Sequence, residues 1–231
     1  MIEKFIEREN KIFDELRDFK EEGFDFILVG GYAVSAYNHR FSVDADIVIK
    51  KDDLKGFTKS LKKDGYEKIQ SKKLESVYGG EFIAYKLDEK LPVNFDILVD
   101  SLQCRQTGAS WSFDYLDDHS TNKEVEGSEK STDCKIPEKE LLIAIKVHSG
   151  RLTDVRDVVA LANDIDTEKI KKHAERGRQR DLVKVLDGIE KVLGSDGFEN
   201  SFKGVFSEKL LPKGNVNEVK EIVEELKSIY T

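Results

Sequence analysis

The chain has 231 residues, 39% hydrophobic and 36% charged, with a formal net charge of −8; this is a water-facing globular composition with room for one large domain or two small ones. No stretch approaches the roughly 20 apolar residues that span a bilayer, and the opening Met1-Ile2-Glu3-Lys4 has no apolar signal core, so a cytoplasmic protein with no membrane partner is expected. The negative charge argues against non-specific coating of DNA, and Cys104 and Cys134 lie in no CxxC or Cys/His array that would mark a disulfide framework or a zinc site.

In chain order, Ile2, Phe5, Ile6, Ile12, Phe13, Leu16 and Phe19 recur near helical spacing and predict a first amphipathic helix ended by Gly23. Phe24 to Val29 is a short apolar run that reads as a buried strand, stopping at Gly30-Gly31. A short helix over residues 32–38 follows, then a strand over 43–49 and a helix marked by Leu54, Phe57 and Leu61. Residues 66–99 read as short strands, including 81–87 and 93–99, with Gly79-Gly80 as the turn. Residues 100–135 have little period and are expected to form a loop or weak strands. Beyond Pro137 the pattern is helical. Ile143, Val147, Val155, Val158 and Val159 are expected to face a core, as are the stripe from Leu182 to Leu193 and the stripe Val216, Val219, Ile222, Val223, Leu226 and Ile229. The expected fold class is α+β, a mixed sheet flanked by helices with a helical C-terminal part, divided into residues 1–136 and 137–231.

The chemistry concentrates between Val29 and Ile47. Side chains alternate across a strand, so Asp44 and Asp46 share one face while Ala45, Ile47 and Ile49 turn to the core. Two carboxylates on one surface raise each other's pKa unless a cation lies between them, and oxygen ligands of this kind suit Mg²⁺. Just upstream, the turn at Gly30-Gly31 lets the backbone approach a phosphate closely. Between Lys169 and Arg180 six basic residues (Lys169, Lys171, Lys172, Arg176, Arg178 and Arg180) face one acid, Glu175; this run is either a solvated helix face or a polyanion contact.

Gly30-Gly31, twelve intervening residues and Asp44-Ala45-Asp46-Ile47 resemble the signature of the DNA polymerase β nucleotidyltransferase superfamily. The resemblance implies that fold, and a third metal carboxylate from a neighbouring strand, for which Asp96 in Val93-Asn94-Phe95-Asp96-Ile97-Leu98-Val99 matches and Asp100 is the runner-up. Lys146, Arg151, Asp154 and Asp157 are similar to the K-x4-R-x2-D-x2-D pattern of AbiEii and MenT-type minimal nucleotidyltransferases, and Arg40, four residues before Asp44, agrees with their first motif. The resemblance covers roughly residues 24–160. It implies Asp44, Asp46 and Asp96 on two Mg²⁺ ions, Gly30, Gly31, Arg40, Lys146 and Arg151 on the nucleotide, and Asp157 or Asp154 near the reacting groups. His39 and His148 lie close to these motifs but read as structural.

The expected activity is transfer of a nucleoside monophosphate from an NTP to an acceptor hydroxyl. A toxin-like enzyme would act on tRNA or protein and could be paired with an antitoxin. The alternatives are a transferase for an aminoglycoside-like small molecule and a nucleotide-binding pseudoenzyme.

Overall fold

The computed structural model describes residues 2–229. The chain divides into two compact units: residues up to Leu102 with Trp111–Pro137, and Gln103–Ser110 with the chain from Glu138 onward.

The first unit opens with α1 (Ile2–Glu21), whose buried stripe of Ile12, Phe13, Leu16 and Phe19 follows the helical spacing of the sequence. Then come β1 (Ile27–Val29), α2 (Gly30–Ser35), β2 (Asp44–Ile49), one 3-10 turn at Lys51–Asp53, and α3 (Leu54–Lys63). They are followed by β3 (Glu67–Lys73), β4 (Glu81–Leu87), β5 (Val93–Val99), β6 (Ser101–Gln103), β7 (Ser110–Ser112), α4 (Phe113–Asp118), β8 (Ser120–Glu126) and β9 (Ser131–Pro137). Seven strands form one sheet in the order β3-β4-β5-β2-β1-β9-β8. It is mixed, because β2 runs parallel to β5 and β1 parallel to β9 while the other pairs are antiparallel.

On β5 the odd-numbered residues Val93, Phe95, Ile97 and Val99 are buried and the even-numbered ones are not fully covered. Phe95 meets Phe19 of α1 edge-on at 5.6 Å, and Phe19 in turn meets Phe57 of α3 at 4.9 Å. This aromatic cluster closes one face of the sheet with α1 and α3. Strand alternation therefore leaves Asp96 on the opposite face. Each of these fully buried rings stabilises the unit by about 1.5–3 kcal/mol through the surface it removes from water.

Residues 100–135 are more ordered than the sequence suggests. β8 and β9 form a regular hairpin closed by Gly127 N–H donating to the Lys130 carbonyl at 2.8 Å, and β9 carries the sheet on from β1. The signal is hidden because the inward positions of β9 begin with Thr132 and Cys134, while β8 buries only Val125. An edge strand of that kind shows no apolar alternation.

The second unit holds α5 (Lys139–Ser149), α6 (Leu152–Leu161), α7 (Thr167–Ala174), α8 (Gln179–Leu193), α9 (Phe198–Phe206) and α10 (Lys213–Ser228). α5 packs on α6, α7 and α8, and α10 on α6 and α8. The expected core positions Ile143, Val147, Val155, Val158 and Val159 are buried, as are Leu182, Leu186, Ile189 and Leu193, and Val216 to Leu226 of the last stripe. Ile229 departs from its stripe and is 42% exposed. The whole is an α+β protein with a mixed sheet, helices against it and a helical C-terminal part. Among the described residues no helix is long and apolar enough to cross a membrane.

Candidate active site

The site in the first unit is built from two adjacent parallel strands. Asp46 of β2 stands directly opposite Asp96 of β5, and Asp44 opposite Asn94. Neighbouring strands lie about 4.8 Å apart, so the three carboxylates Asp44, Asp46 and Asp96 share one face at close range. Asn94 fixes Asp44, its Nδ2 donating to Oδ1 at 2.8 Å. Burial pushes the Asp96 carboxyl up to about 7, and the negative charges of Asp46 and Asp44 add to the rise. Such a group keeps its proton near neutrality until something positive joins it.

β1 runs antiparallel to β2 with Val29 opposite Asp46, which brings the two glycines over the carboxylates. Gly30 has φ +68°, and a Cβ there would fall on the Asp46 carboxylate. A Cβ at Gly31 would strike the Arg40 guanidinium and the Ser42 hydroxyl. The positive φ lets the chain turn from β1 straight into α2, which is why that helix begins at Gly30 rather than at Tyr32. The connection back to β2 is pinned at several points. Ser35 Oγ accepts from Arg40 N–H at 3.3 Å, Tyr32 O–H donates to the Ser42 carbonyl at 3.2 Å, and Ser42 Oγ donates to the Asp44 carbonyl at 3.1 Å.

Asp100 lies at the other end of β5. It has φ +64°, donates its N–H to the Ile49 carbonyl at 2.8 Å and accepts from Lys51 N–H at 2.8 Å. It is a turn residue away from the three carboxylates. His39 is exposed and meets only Phe41 edge-on at 6.0 Å among the ring contacts of the described residues.

The second motif forms its own cluster in the second unit. Lys146 of α5 pairs with Asp154 Oδ1 at 3.1 Å and with Asp157 Oδ2 at 2.8 Å, all three side chains being at most 7% exposed. The two acids are three residues apart on one face of α6. Arg151, whose side chain is 66% exposed, adds Nε to Asp154 Oδ2 at 2.7 Å and Nη2 to Oδ1 at 3.2 Å. Asp154 also accepts from the Arg151 backbone N–H at 3.2 Å, capping the N-terminus of α6 where a negative charge is favoured. Burial alone would raise the Asp154 carboxyl, but Lys146 and Arg151 outweigh it and hold the group below the ordinary carboxylate range.

His148, on the same helix, is buried. Its Nε2–H donates to the Ala174 carbonyl at 2.9 Å, which makes Nδ1 the acceptor from Thr107 O–H at 2.8 Å. Burial pushes its pKa down to about 4. A neutral imidazole held at both nitrogens is a packing element.

Half of the basic run is ion-paired within its own unit. Lys169 pairs with Glu138 at 3.0 Å, Lys171 with Glu168 and Glu225 at 2.7 and 2.8 Å, and Arg178 with Asp181 at 2.5 Å. Arg176 donates to the Ser110 carbonyl at 3.1 Å. Lys172 and Arg180 remain exposed. Cys104 and Cys134 are buried, unbridged thiols, each pushed up to about 12 by burial.

Sequence reasoning missed Asn94, which orients Asp44, although its place two residues before Asp96 on the same strand face was a usable signal. It also missed Arg8 of α1, which is 8% exposed and reaches the Ser42 carbonyl at 3.5 Å.

No protein-family model matches the chain, and no curated protein matches its sequence. Among solved structures it is similar to a candidate nucleotidyltransferase from H. pylori, with 14% identity over 98% of this chain and 95% of that one and a TM-score of 0.42. It is similar also to JHP933 from Helicobacter pylori, with 16% identity over 99% of this chain and 91% of that one and a TM-score of 0.41. At such low scores and identities the assignment of function rests on the site itself.

Proposed function

We propose that the chain is a Mg²⁺-dependent nucleotidyltransferase that moves a nucleoside monophosphate from an NTP to an acceptor hydroxyl. The observation that carries this reading is the convergence of Asp44, Asp46 and Asp96 on one sheet face beneath Gly30. The donor set fits the ion: it is all oxygen, and its burial, together with the like charges of Asp46 and Asp44, pushes Asp96 up to about 7. Asp44 and Asp46 would hold two Mg²⁺ ions and Asp96 one of them. Bound there, Mg²⁺ would neutralise charge on the α-phosphate and lower the pKa of the acceptor hydroxyl.

The chain's own residues supply position. Gly30 lets the Asp46 carboxylate, and Gly31 the Arg40 guanidinium and the Ser42 hydroxyl, lie directly against the turn where a Cβ would clash, and a glycine turn of this kind lets a phosphate approach the backbone closely. Arg40, beside Gly31, offers a guanidinium to the same phosphates. The acceptor oxygen forms a bond to the α-phosphorus, the bond from that phosphorus to the bridging oxygen breaks, and pyrophosphate leaves. Asp96, holding the ion nearest the acceptor hydroxyl, would favour its deprotonation. Lys146 and Arg151 are assigned to the triphosphate on the strength of the second motif, with Asp154 and Asp157 fixing the ammonium of Lys146. A tRNA or protein acceptor, and pairing with an antitoxin, extend the reading along the same resemblance.

The test is incubation of the protein with each α-labelled and each γ-labelled NTP, Mg²⁺, and either total cell RNA or lysate protein. Label from the α position alone should appear on the acceptor. Transfer of γ-label would make the enzyme a phosphotransferase, and transfer of neither would leave the pseudoenzyme.

A further inference from the structure

One buried acid in the first unit takes no part in the carboxylate site. Glu15 stands on α1 one turn before Phe19, whose ring meets Phe57 of α3 at 4.9 Å. It is 4% exposed, and its Oε1 has no hydrogen-bond partner among the described residues. The facing helix does not supply one. Gly56, Ser60 and Lys63 recur at i, i+4 and i+7 along α3. This flank meets the end of α1, because the Phe24 ring rests against Gly56 and Lys63 pairs with Glu22 at 3.9 Å. The Ser60 hydroxyl between them is 2% exposed and is also without a partner among the described residues.

The charges around Glu15 oppose its ionisation. Asp18 and Glu22 follow it at i+3 and i+7, Asp64 caps the C-terminus of α3, and Lys63 acts against the three acids. On the remaining side stands Tyr66, 3% exposed, whose phenol is raised by burial and then by Glu15 and so stays neutral. Beyond Tyr66 lie Glu89 and Asp14, the latter held by Lys130 at 2.6 Å. Burial first, and then Asp64, Asp18 and Glu22, push the Glu15 carboxyl up to about 8. A protonated carboxyl is neutral and sits here at modest cost, whereas a carboxylate would be a buried charge with no donor to meet it.

We propose that Glu15 is a proton-operated latch: with its proton α1 stays packed on α3, and without it the contact loosens. What the latch steadies is the back of the strand that carries the site. Phe95, which both Phe19 and Tyr66 meet edge-on at 5.6 Å, immediately precedes Asp96 on β5. The latch stands whether or not the carboxylates transfer a nucleotide, since it lies on the face of the sheet away from them.

The experiment follows hydrogen exchange of the α1 and α3 amides in the full chain between about pH 5.5 and 9.5, corrected for the intrinsic exchange rate. It compares the wild type with Glu15→Gln, Glu15→Leu and Asp96→Asn. Opening the contact returns Glu15 to an ordinary carboxyl near 4.5. Between that value and the folded one the open form gives up a proton that the closed form keeps, so wild-type protection should fall about tenfold per pH unit and level off above about 8. Glutamine keeps the shape of the protonated acid, and leucine removes its polar atoms. Protection in both variants should lose this dependence on pH, while Asp96→Asn should keep it. Wild-type protection that is flat over the range, a slope that survives in the Glu15 variants, or one that disappears in Asp96→Asn would each overturn the proposal.

Discussion

Two clusters of ionisable groups, one in each unit, are put together on opposite principles. Around Asp96 like charges are gathered, and the structure holds its carboxyl near neutrality as an acid. Around Lys146 opposite charges are gathered, and Asp154 is held below its ordinary range. A buried cluster that is balanced contributes to holding its helices, and removing one partner strands a charge. A cluster of one sign costs stability as it stands, and it repays that cost only when a cation arrives. The difference lies in charge balance: the carboxylates of β2 and β5 gather one sign, whereas Asp154 and Asp157 of α6 already stand against Lys146 and Arg151.

The comparison is sharpest in substitution. Asp46→Asn should reduce transfer by about 10³-fold or more, since losing a metal ligand removes several kcal/mol of transition-state stabilisation. Its thermal midpoint should hold or rise slightly, because one like charge is gone. Steady-state transfer and calorimetry on the same preparation check both halves. Lys146→Ala should do the reverse to stability: leaving Asp154 and Asp157 buried without their ammonium should cost about 3–5 kcal/mol. Hydrogen exchange of the α5 and α6 amides reads this directly, and protection equal to wild type would remove the structural role.

Gly30→Ala comes next. It places a Cβ against the Asp46 carboxylate at a backbone φ of +68°. The strain should cost about 1–3 kcal/mol, and the obstruction should raise the KM for NTP. An alanine variant with unchanged KM would mean that the phosphates do not approach at this turn.

Acidity should act on the two units with opposite sign. Asp96 titrates near 7 when folded against an ordinary carboxyl near 3.8 when unfolded, so its ionisation destabilises the fold. That penalty grows as pH rises through this window and vanishes on acidification. His148 is depressed to about 4 from 6.5, so the second unit loses stability as pH falls through that interval, when the unfolded chain takes up a proton the folded one refuses. Exchange rates followed by unit between pH 7 and pH 4 should diverge accordingly. The smallest effect is expected at the basic run, where Lys172→Glu with Arg180→Glu should leave both NTP and RNA affinity within about twofold, as exposed charges have little reach at physiological salt.

Asp44 and Asp46 were legible because strand alternation makes a two-residue spacing decisive, whereas Asp96 was named through the resemblance, on a strand whose buried residues are plainly apolar. Strands β4 and β5 were legible for the same reason. The β8–β9 hairpin was not, since Thr132 and Cys134 occupy inward positions that carry no hydrophobic signal. The two readings of the run from Lys169 to Arg180 could not be separated in the sequence, because its counter-ions Glu138, Asp181 and Glu225 lie outside the run.

The most direct test of the central claim is a Mn²⁺ titration followed by electron paramagnetic resonance at pH values on either side of 7, for the wild-type chain, Asp46→Asn and Asp96→Asn. The account predicts saturable binding by the wild type that strengthens as pH rises through about 7, and loss of that binding in both variants. Equal Mn²⁺ affinity in all three proteins, or affinity with no dependence on pH in that range, would contradict it.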